Sequence, residues 1–96
     1  PEVFFVGSRV AAHPERVRPE LAEGHEVGNH TYDHVNLTLI PPELISYELD
    51  QCDAAIKKAT GSSARFFRPP GGDYNGDVIR DAARRVQLDC GERPQE

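Results

Sequence analysis

Short strand-like runs alternate with helix-like segments along the chain, and this order constrains the fold more than any other feature of the sequence. Residues 2–6, 25–28 and 65–68 are compatible with short strands. The intervening and following segments predict helices over residues 8–12, 14–23 and 42–60, and a last one capped by Asp77. Strands separated by helices pair in parallel through right-handed crossovers. We therefore expect a parallel α/β sheet.

The segment 42–60 is the clearest helix in the sequence. Apolar residues recur in it at spacings of three and four, and Gly61 is suited to end it. Its charged residues, Glu48, Asp50, Asp53, Lys57 and Lys58, are expected to face solvent. In the earlier segment, Pro19 removes a backbone donor from a helix interior, so a kink or two short helices are expected over residues 14–23.

Composition excludes several classes of protein. The length of 96 residues allows one small globular domain. The net charge of −5 carries no cluster of Lys and Arg, which argues against nucleic acid or an anionic membrane as a partner. No apolar run has the length of a membrane span, and nothing resembles a signal peptide. The first residues read like the middle of a strand, so we expect a fragment of a longer protein. Cys52 and Cys90 neither predict nor exclude a disulfide.

Two histidines form the pattern His-x-x-x-His at positions 30 and 34. If the stretch is helical from His30 onward, both imidazoles project from one face about one turn apart and can bind one ion. The alternative is a pair of polar side chains where a loop becomes a helix. Asp33, between them, is expected to point to solvent, and His13 and His25 are expected to be structural or solvated.

The loops that follow the predicted strands are expected to meet at one edge of the sheet, because parallel strands end on the same side. These loops are Gly7-Ser8, the HTYDH segment and RPPGGDYN. The histidines and Arg68 are therefore expected to converge, which a functional site requires.

Two motifs in this order resemble those of polysaccharide deacetylases, the carbohydrate esterase family four with the nodulation-deacetylase (NodB) homology domain. GNHTYDH is similar to the family's His-Ser/Thr-x-x-His motif, and FFRPPGGDYN is similar to its Arg-x-Pro motif. The flanking FFVGSRVAAHPE and AEGHEVGNH also read like family members. The resemblance covers about residues 3–88 and implies that residues 1–96 are a partial deacetylase domain, a fragment of a (β/α) barrel.

The resemblance implies a role for each matching residue. His30 and His34 would bind zinc, or another divalent metal such as cobalt, and Thr31 would hold their loop. Arg68 would orient the catalytic carboxylate, and the backbone N–H of Gly71 would stabilise the oxyanion. Substrate-binding residues implied in the same loop are Pro70, Gly72 and Tyr74. The simpler alternatives are an ion pair for Arg68, a plain turn for the Pro-Pro-Gly-Gly loop and a packing role for Tyr74.

The sequence also departs from the family pattern. The Thr-Phe-Asp-Asp motif that supplies the general base and the third metal ligand does not occur, and neither does the Leu-x-His motif that supplies the general acid. Placed acids and bases contribute about 10²–10⁴-fold to a rate, so complete turnover by these residues alone is not expected.

The sequence therefore predicts a metal-dependent hydrolase that removes acetyl groups from a carbohydrate such as chitin, peptidoglycan or xylan, inactive as this fragment alone. The alternatives are a non-catalytic carbohydrate-binding or structural remnant of the fold, and a small domain structured by zinc, which would need four ligands. The family resemblance implies an extracytoplasmic location, in the cell envelope or secreted. A partial barrel exposes sheet edges, so self-association is expected as well.

Overall fold

The computed structural model describes residues 2–85 and 87–88, in which four parallel strands form one sheet. The strands are β1 (Glu2–Phe5), β2 (Glu26–Asn29), β3 (Phe66–Phe67) and β4 (Gln87–Leu88), in that spatial order. The parallel sheet is as predicted from the alternation of elements. Strand β4 is not among the predicted strands, because two residues are too few to show a periodicity. The segment after Leu88 lies outside the described residues.

Helices connect the strands. They are α1 (Gly7–Ala12), α2 (Arg18–Ala22), α3 (Pro42–Thr60) and α4 (Gly76–Ala83), with short 3-10 turns at Pro14–Arg16, Leu37–Leu39 and Pro70–Gly72. The predicted bounds of α3 are confirmed, and Gly61 ends the helix in the left-handed conformation, with φ of 84°. The break expected near Pro19 is confirmed too, because Val17 separates a 3-10 turn from α2.

The cap of α4 differs from the prediction. Asn75, not Asp77, is the capping residue, and its Oδ1 accepts a hydrogen bond of 3.0 Å from the Val78 N–H. Asp77 lies in the first turn, where its negative charge interacts favourably with the positive end of the helix dipole. Both residue types can cap a helix, so the sequence pattern alone did not fix which of them begins it.

Helix α3 contributes buried side chains to two apolar clusters. Cys52 and Ile56 pack in one cluster, and Ile45 and Leu49 pack in the other. The first cluster also contains Val10, Val17, Val27, Ala59 and Ala64, and the second contains Leu37, Phe67, Val78 and Ala82. Each fully buried aliphatic side chain stabilises a fold by about 1.5–3 kcal/mol. Because α3 has such side chains in both clusters, it joins the two halves of the core.

Cys52 is a buried core residue. Its thiol lies 3.5 Å from the carbonyl oxygen of Phe5, and burial raises its pKa to about 12. A thiol with so high a pKa is not a nucleophile at neutral pH. Its possible partner in a disulfide, Cys90, lies outside the described residues.

The two outer strands of the sheet in the described part of the chain are β1 and β4. An outer strand can pair with a strand of another chain. Self-association through β1 or β4 stays a prediction. Among the described residues, no helix combines the length and apolar character that a membrane crossing requires.

Gly7 begins α1 where this helix comes very close to α3. A Cβ atom on Gly7 would lie 2.7 Å from the Cα of Cys52 and 2.8 Å from the Tyr32 ring. Backbone atoms cannot move away as a flexible side chain can, so only glycine fits this contact.

We expect Gly7→Ala to lower the free energy of unfolding by about 1–3 kcal/mol, because the added methyl overlaps the α3 backbone. Urea unfolding followed by circular dichroism measures the change. Gly76→Ala is the matched control, since a Cβ there would meet only the end of the Arg80 side chain, at 3.3 Å. Equal stability of the Gly7→Ala variant and the parent chain would contradict the close packing.

Candidate metal and active site

The carboxyl ends of β1, β2 and β3 bring three loops together. The N–H of Gly7 donates to the Thr31 carbonyl at 2.9 Å, which links the loops after β1 and β2. Nδ1 of His30 lies 2.5 Å from the Arg68 carbonyl oxygen, which links the loops after β2 and β3. The predicted convergence of the histidines and Arg68 at one edge of the sheet is therefore confirmed.

The two histidines meet, but not by the helical spacing that the sequence suggested. Residues 30–36 form an irregular loop, and Thr31 and His34 adopt left-handed conformations with φ of 66° and 57°. The ring centroids of His30 and His34 are 4.9 Å apart, with the ring planes at 58°. The helical premise is wrong because a left-handed turn, and not an α-helical one, brings the imidazoles together.

The hydrogen bond of His30 fixes its tautomer. A carbonyl oxygen only accepts, so the contact with Arg68 places the ring proton on Nδ1 and leaves a lone pair on Nε2. Burial lowers the pKa of His30. The hydrogen bond to the Arg68 carbonyl alone would raise this pKa, whereas the charges of His34 and Arg68 lower it further. A neutral imidazole whose second nitrogen is held by a carbonyl is the usual form of a metal ligand.

Thr31 is strained and fully buried. A β-branched residue in the left-handed region costs of order 1–3 kcal/mol, and such strain concentrates at functional sites. Its N–H donates to Asn29 Oδ1 at 2.8 Å, and its carbonyl accepts from Gly7. Its Oγ1 has no hydrogen-bond partner among the described residues. The contacts that hold the loop at Thr31 are therefore made by its backbone and not by its hydroxyl.

Two carboxylates of α3 contact this region, and the prediction that the charged face of α3 is solvated is wrong for both. Glu48 is only 5% exposed, and its Oε1 accepts from the Asp33 N–H at 2.8 Å. Asp53 is partly buried and accepts from Asn29 Nδ2 at 2.9 Å. The loop after β2 covers this part of the helix, and Asp33 itself is exposed, as expected.

The remaining charged residues of this face behave as predicted. Asp50, Lys57 and Lys58 are exposed.

Arg68 lies against the end of β1. Its guanidinium carbon is 4.4 Å from the centroid of the Phe4 ring, a distance at which a cation is attracted to an aromatic face. A pocket of about 290 Å³ opens beside the histidines. Its lining consists of Phe4, Phe5, Val6, Arg9, His30 and His34. Sequence reasoning missed Phe4 and Arg9, because nothing in their spacing relates them to the histidine motif.

The predicted substrate-binding residues in the loop after β3 differ in exposure. Pro70 is buried, whereas Gly71 and Gly72 are exposed and left-handed, with φ of 69° and 75°. Tyr74 is 51% exposed, so it does not serve as a core residue. Asp73 joins the loop to the histidine segment, since its Oδ2 accepts from Asn36 Nδ2 at 3.0 Å.

The other two histidines lie outside this cluster. His13 is exposed and contacts Glu15 at 3.3 Å, and His25 precedes the amino end of β2, beside Glu20 and Glu23. Their structural or solvated character is as expected, and neither belongs to the edge that carries His30.

Comparison with known proteins identifies the family. The chain matches the family model for polysaccharide deacetylase over residues 2–90. It belongs to the polysaccharide deacetylase family. Chitin deacetylase 1 of Cryptococcus neoformans var. grubii is a relative that is 39% identical over 85 residues, which are 88% of this chain and 18% of that protein.

Solved structures of the polysaccharide deacetylase family have the same fold. A family 4 carbohydrate esterase from Streptomyces lividans in complex with acetate superposes with a TM-score of 0.85 at 28% identity, over 91% of this chain and 46% of that one. A family 4 pseudoenzyme from Bacillus anthracis gives 0.86 at 26% identity, over 91% and 31%. The chain thus spans less than half of each protein, and its parallel strands and helices form part of a (β/α) barrel.

The burial of Glu48 predicts a pH dependence of stability. Burial is the main cause that raises its pKa above the usual 4.5. A raised folded-state pKa means that the folded chain holds the proton more tightly than the unfolded chain does. The contribution of Glu48 to the free energy of unfolding is therefore greatest below pH 4.5, and it is lost as the pH rises through the folded-state pKa.

We expect Glu48→Gln, which keeps an acceptor oxygen without a charge, to gain stability relative to the parent chain as the pH rises from the acid range to neutrality. Urea unfolding of both proteins over that range measures the difference. A difference that does not change with pH would show that Glu48 titrates normally.

Proposed function

We propose that His30 and His34 bind zinc or a similar divalent metal in a carbohydrate deacetylase. The observation that carries the proposal is the His30 ring, which is half-buried, neutral and held at Nδ1, so that Nε2 can coordinate an ion beside the His34 ring. Two imidazoles are a donor set that suits zinc. When bound, such an ion acts as a Lewis acid and lowers the pKa of a coordinated water to about 7.

The proposed substrate is an acetylated carbohydrate, and a polymer of N-acetylglucosamine is the first candidate. Support comes from membership of the polysaccharide deacetylase family and from similarity to a protein named as a chitin deacetylase. Peptidoglycan and acetylated xylan are polymers of the same chemical class. A wall polymer lies outside the membrane, so the proposed location is extracytoplasmic, in the cell envelope or secreted.

Within this proposal, Arg68 orients a catalytic carboxylate. The Phe4 ring lies against its guanidinium, and its backbone N–H donates to the Asn29 carbonyl at 3.0 Å, which ties residue 68 to the end of β2. A guanidinium keeps its charge at every physiological pH, so its effect depends on position alone. Arg68 therefore serves as a fixed positive charge beside Phe4, which lines the pocket.

The loop after β3 supplies the proposed contacts to the substrate. The Gly71 N–H stabilises the oxyanion that forms when an acetyl carbonyl is attacked, and Pro70, Gly72 and Tyr74 bind the sugar. The exposed, left-handed Gly71 leaves its backbone without a covering side chain, which supports this role. The half-exposed ring of Tyr74 offers an apolar surface on which a sugar ring can stack.

Residues 1–96 contain neither the Asp-Asp pair nor the Leu-x-His motif of the family. We therefore propose that these residues alone do not complete the reaction. A second candidate function is a non-catalytic, carbohydrate-binding or structural relative, and similarity to a family 4 pseudoenzyme favours it. Both functions keep the fold, and they differ in whether acetate is released.

Metal binding is tested by calorimetric titration of the chain with zinc. We expect one zinc ion per chain, and at least a hundredfold weaker binding by His30→Ala and by His34→Ala, because each variant removes a ligand. His13→Ala removes an exposed histidine outside the cluster and should bind like the parent chain. Circular dichroism confirms that all variants are folded. A folded parent chain that does not bind zinc would contradict the proposed metal site.

The reaction is tested by incubating the complete protein that contains these residues with chitin oligosaccharides and zinc. We expect the parent protein to release acetate. Arg68→Met should reduce the rate of release by two orders of magnitude or more, because the fixed charge is lost. Arg65→Met is the matched control, since that arginine is exposed and pairs with Glu26 at the opposite end of the strands. Binding of the oligosaccharide without acetate release would identify the non-catalytic alternative instead.

A further inference from the structure

The loop that carries the two histidines is attached to α3 at both of its ends. On the first side, Asn29 immediately precedes His30 and is fully buried. On the second side, Asp33 immediately precedes His34, and its N–H donates to Glu48 Oε1 at 2.8 Å. Each histidine is therefore adjacent in sequence to a residue that bonds to α3 or to one of its side chains.

Both polar atoms of the Asn29 side chain make hydrogen bonds, and both protons of Nδ2 are used. Nδ2 donates to the Leu49 carbonyl at 3.0 Å and to Asp53 Oδ1 at 2.9 Å, while Oδ1 accepts from the Thr31 N–H at 2.8 Å. A flipped amide would place its oxygen against two acceptors, so the orientation is fixed. The result is a rigid link from α3 through Asn29 to the left-handed turn at Thr31.

Neither contact is explained by the need to build the sheet or the apolar core. Asn29 already pairs in the sheet through its backbone, in register with Phe5 and Phe67. Glu48 is a buried carboxylate whose removal from water has a cost, so an apolar residue at this position would serve packing better. What the two side chains have in common is that they hold the loop between His30 and His34.

We propose that α3 sets the separation of the two imidazoles, with Asn29 and Glu48 as positioning residues. Each side chain acts through the backbone beside one histidine: Asn29 through the Thr31 N–H and Glu48 through the Asp33 N–H. The inference rests on the proposed function only for its consequence on metal affinity, because the arrangement itself exists without a metal. Outer contacts of this kind typically change metal affinity by about 10–100-fold.

The first test uses the metal-free chain. The ring centroids of His30 and His34 are 4.9 Å apart, so nuclear Overhauser effects between the two rings are expected in the parent chain. We expect Glu48→Gln to retain them, since Gln keeps an acceptor oxygen for the Asp33 N–H. Glu48→Ala and Asn29→Ala should lose them. If both alanine variants are folded and keep the inter-ring effects, the inference is wrong.

A control separates positioning from loss of stability. Ile56→Val, which removes one methylene from the buried face of α3 away from the loop, should lower stability and leave the inter-ring effects intact. If Asn29→Ala does not fold, the comparison of Glu48→Ala with Glu48→Gln still decides the matter, because Glu48→Gln keeps the acceptor oxygen that Glu48→Ala removes, and Ile56→Val controls for the loss of buried volume. Loss of the effects in Ile56→Val as well would show that any destabilisation disturbs the loop, and would overturn the inference.

The second test measures zinc affinity by calorimetry for the same variants. Glu48→Ala and Asn29→Ala should bind at least tenfold more weakly than the parent chain, while Glu48→Gln and Ile56→Val should stay within about threefold. Parent-like affinity in both alanine variants would overturn the inference. If no protein in the series binds zinc, the proposed function fails, and the metal-free spectra still decide whether α3 positions the histidines.

Discussion

The structure depends most on the packing of α3 (Pro42–Thr60) against the sheet. This helix supplies side chains to both apolar clusters, and it also accepts the hydrogen bonds of the loop that crosses its surface. The close approach of α1 at Gly7 is a further contact with the same helix. A single element therefore holds the core together and fixes the position of the loop that contains His30 and His34.

Much of the fold could be predicted from sequence because its signals are local. The bounds of α3 follow from apolar spacing and a terminal glycine, and the break before α2 follows from Pro19. Strand β4 could not be predicted, since Gln87 and Leu88 form a pair too short to show alternation. Asn75 and Asp77 illustrate a different limit: both are good caps, and only the conformation of the backbone distinguishes them.

The sequence predicts that the histidines and Arg68 converge, but it predicts neither the geometry of their contact nor the place of Phe4 and Arg9 in the pocket. Two motifs identify His30 and Arg68, and the parallel topology brings them to one edge. The conformation of Thr31 could not be foreseen, because a buried amide and a neighbouring helix stabilise a turn that its β-branched side chain disfavours. Helical spacing places Glu48 on the charged face and so predicts that it is exposed. Spacing contains no information about the loop that covers that face and buries Glu48.

The partners that hold His30 come from distant parts of the sequence. Asn29 bonds to residues 20 and 24 positions later, and the ring of His30 bonds to Arg68, 38 positions later. During synthesis, the histidine motif therefore leaves the ribosome well before the groups that shape it. A short peptide containing only the motif has the same two imidazoles without their fixed separation. The arrangement of the pair is thus a property of the assembled tertiary structure, and it requires both α3 and β3 to be in place.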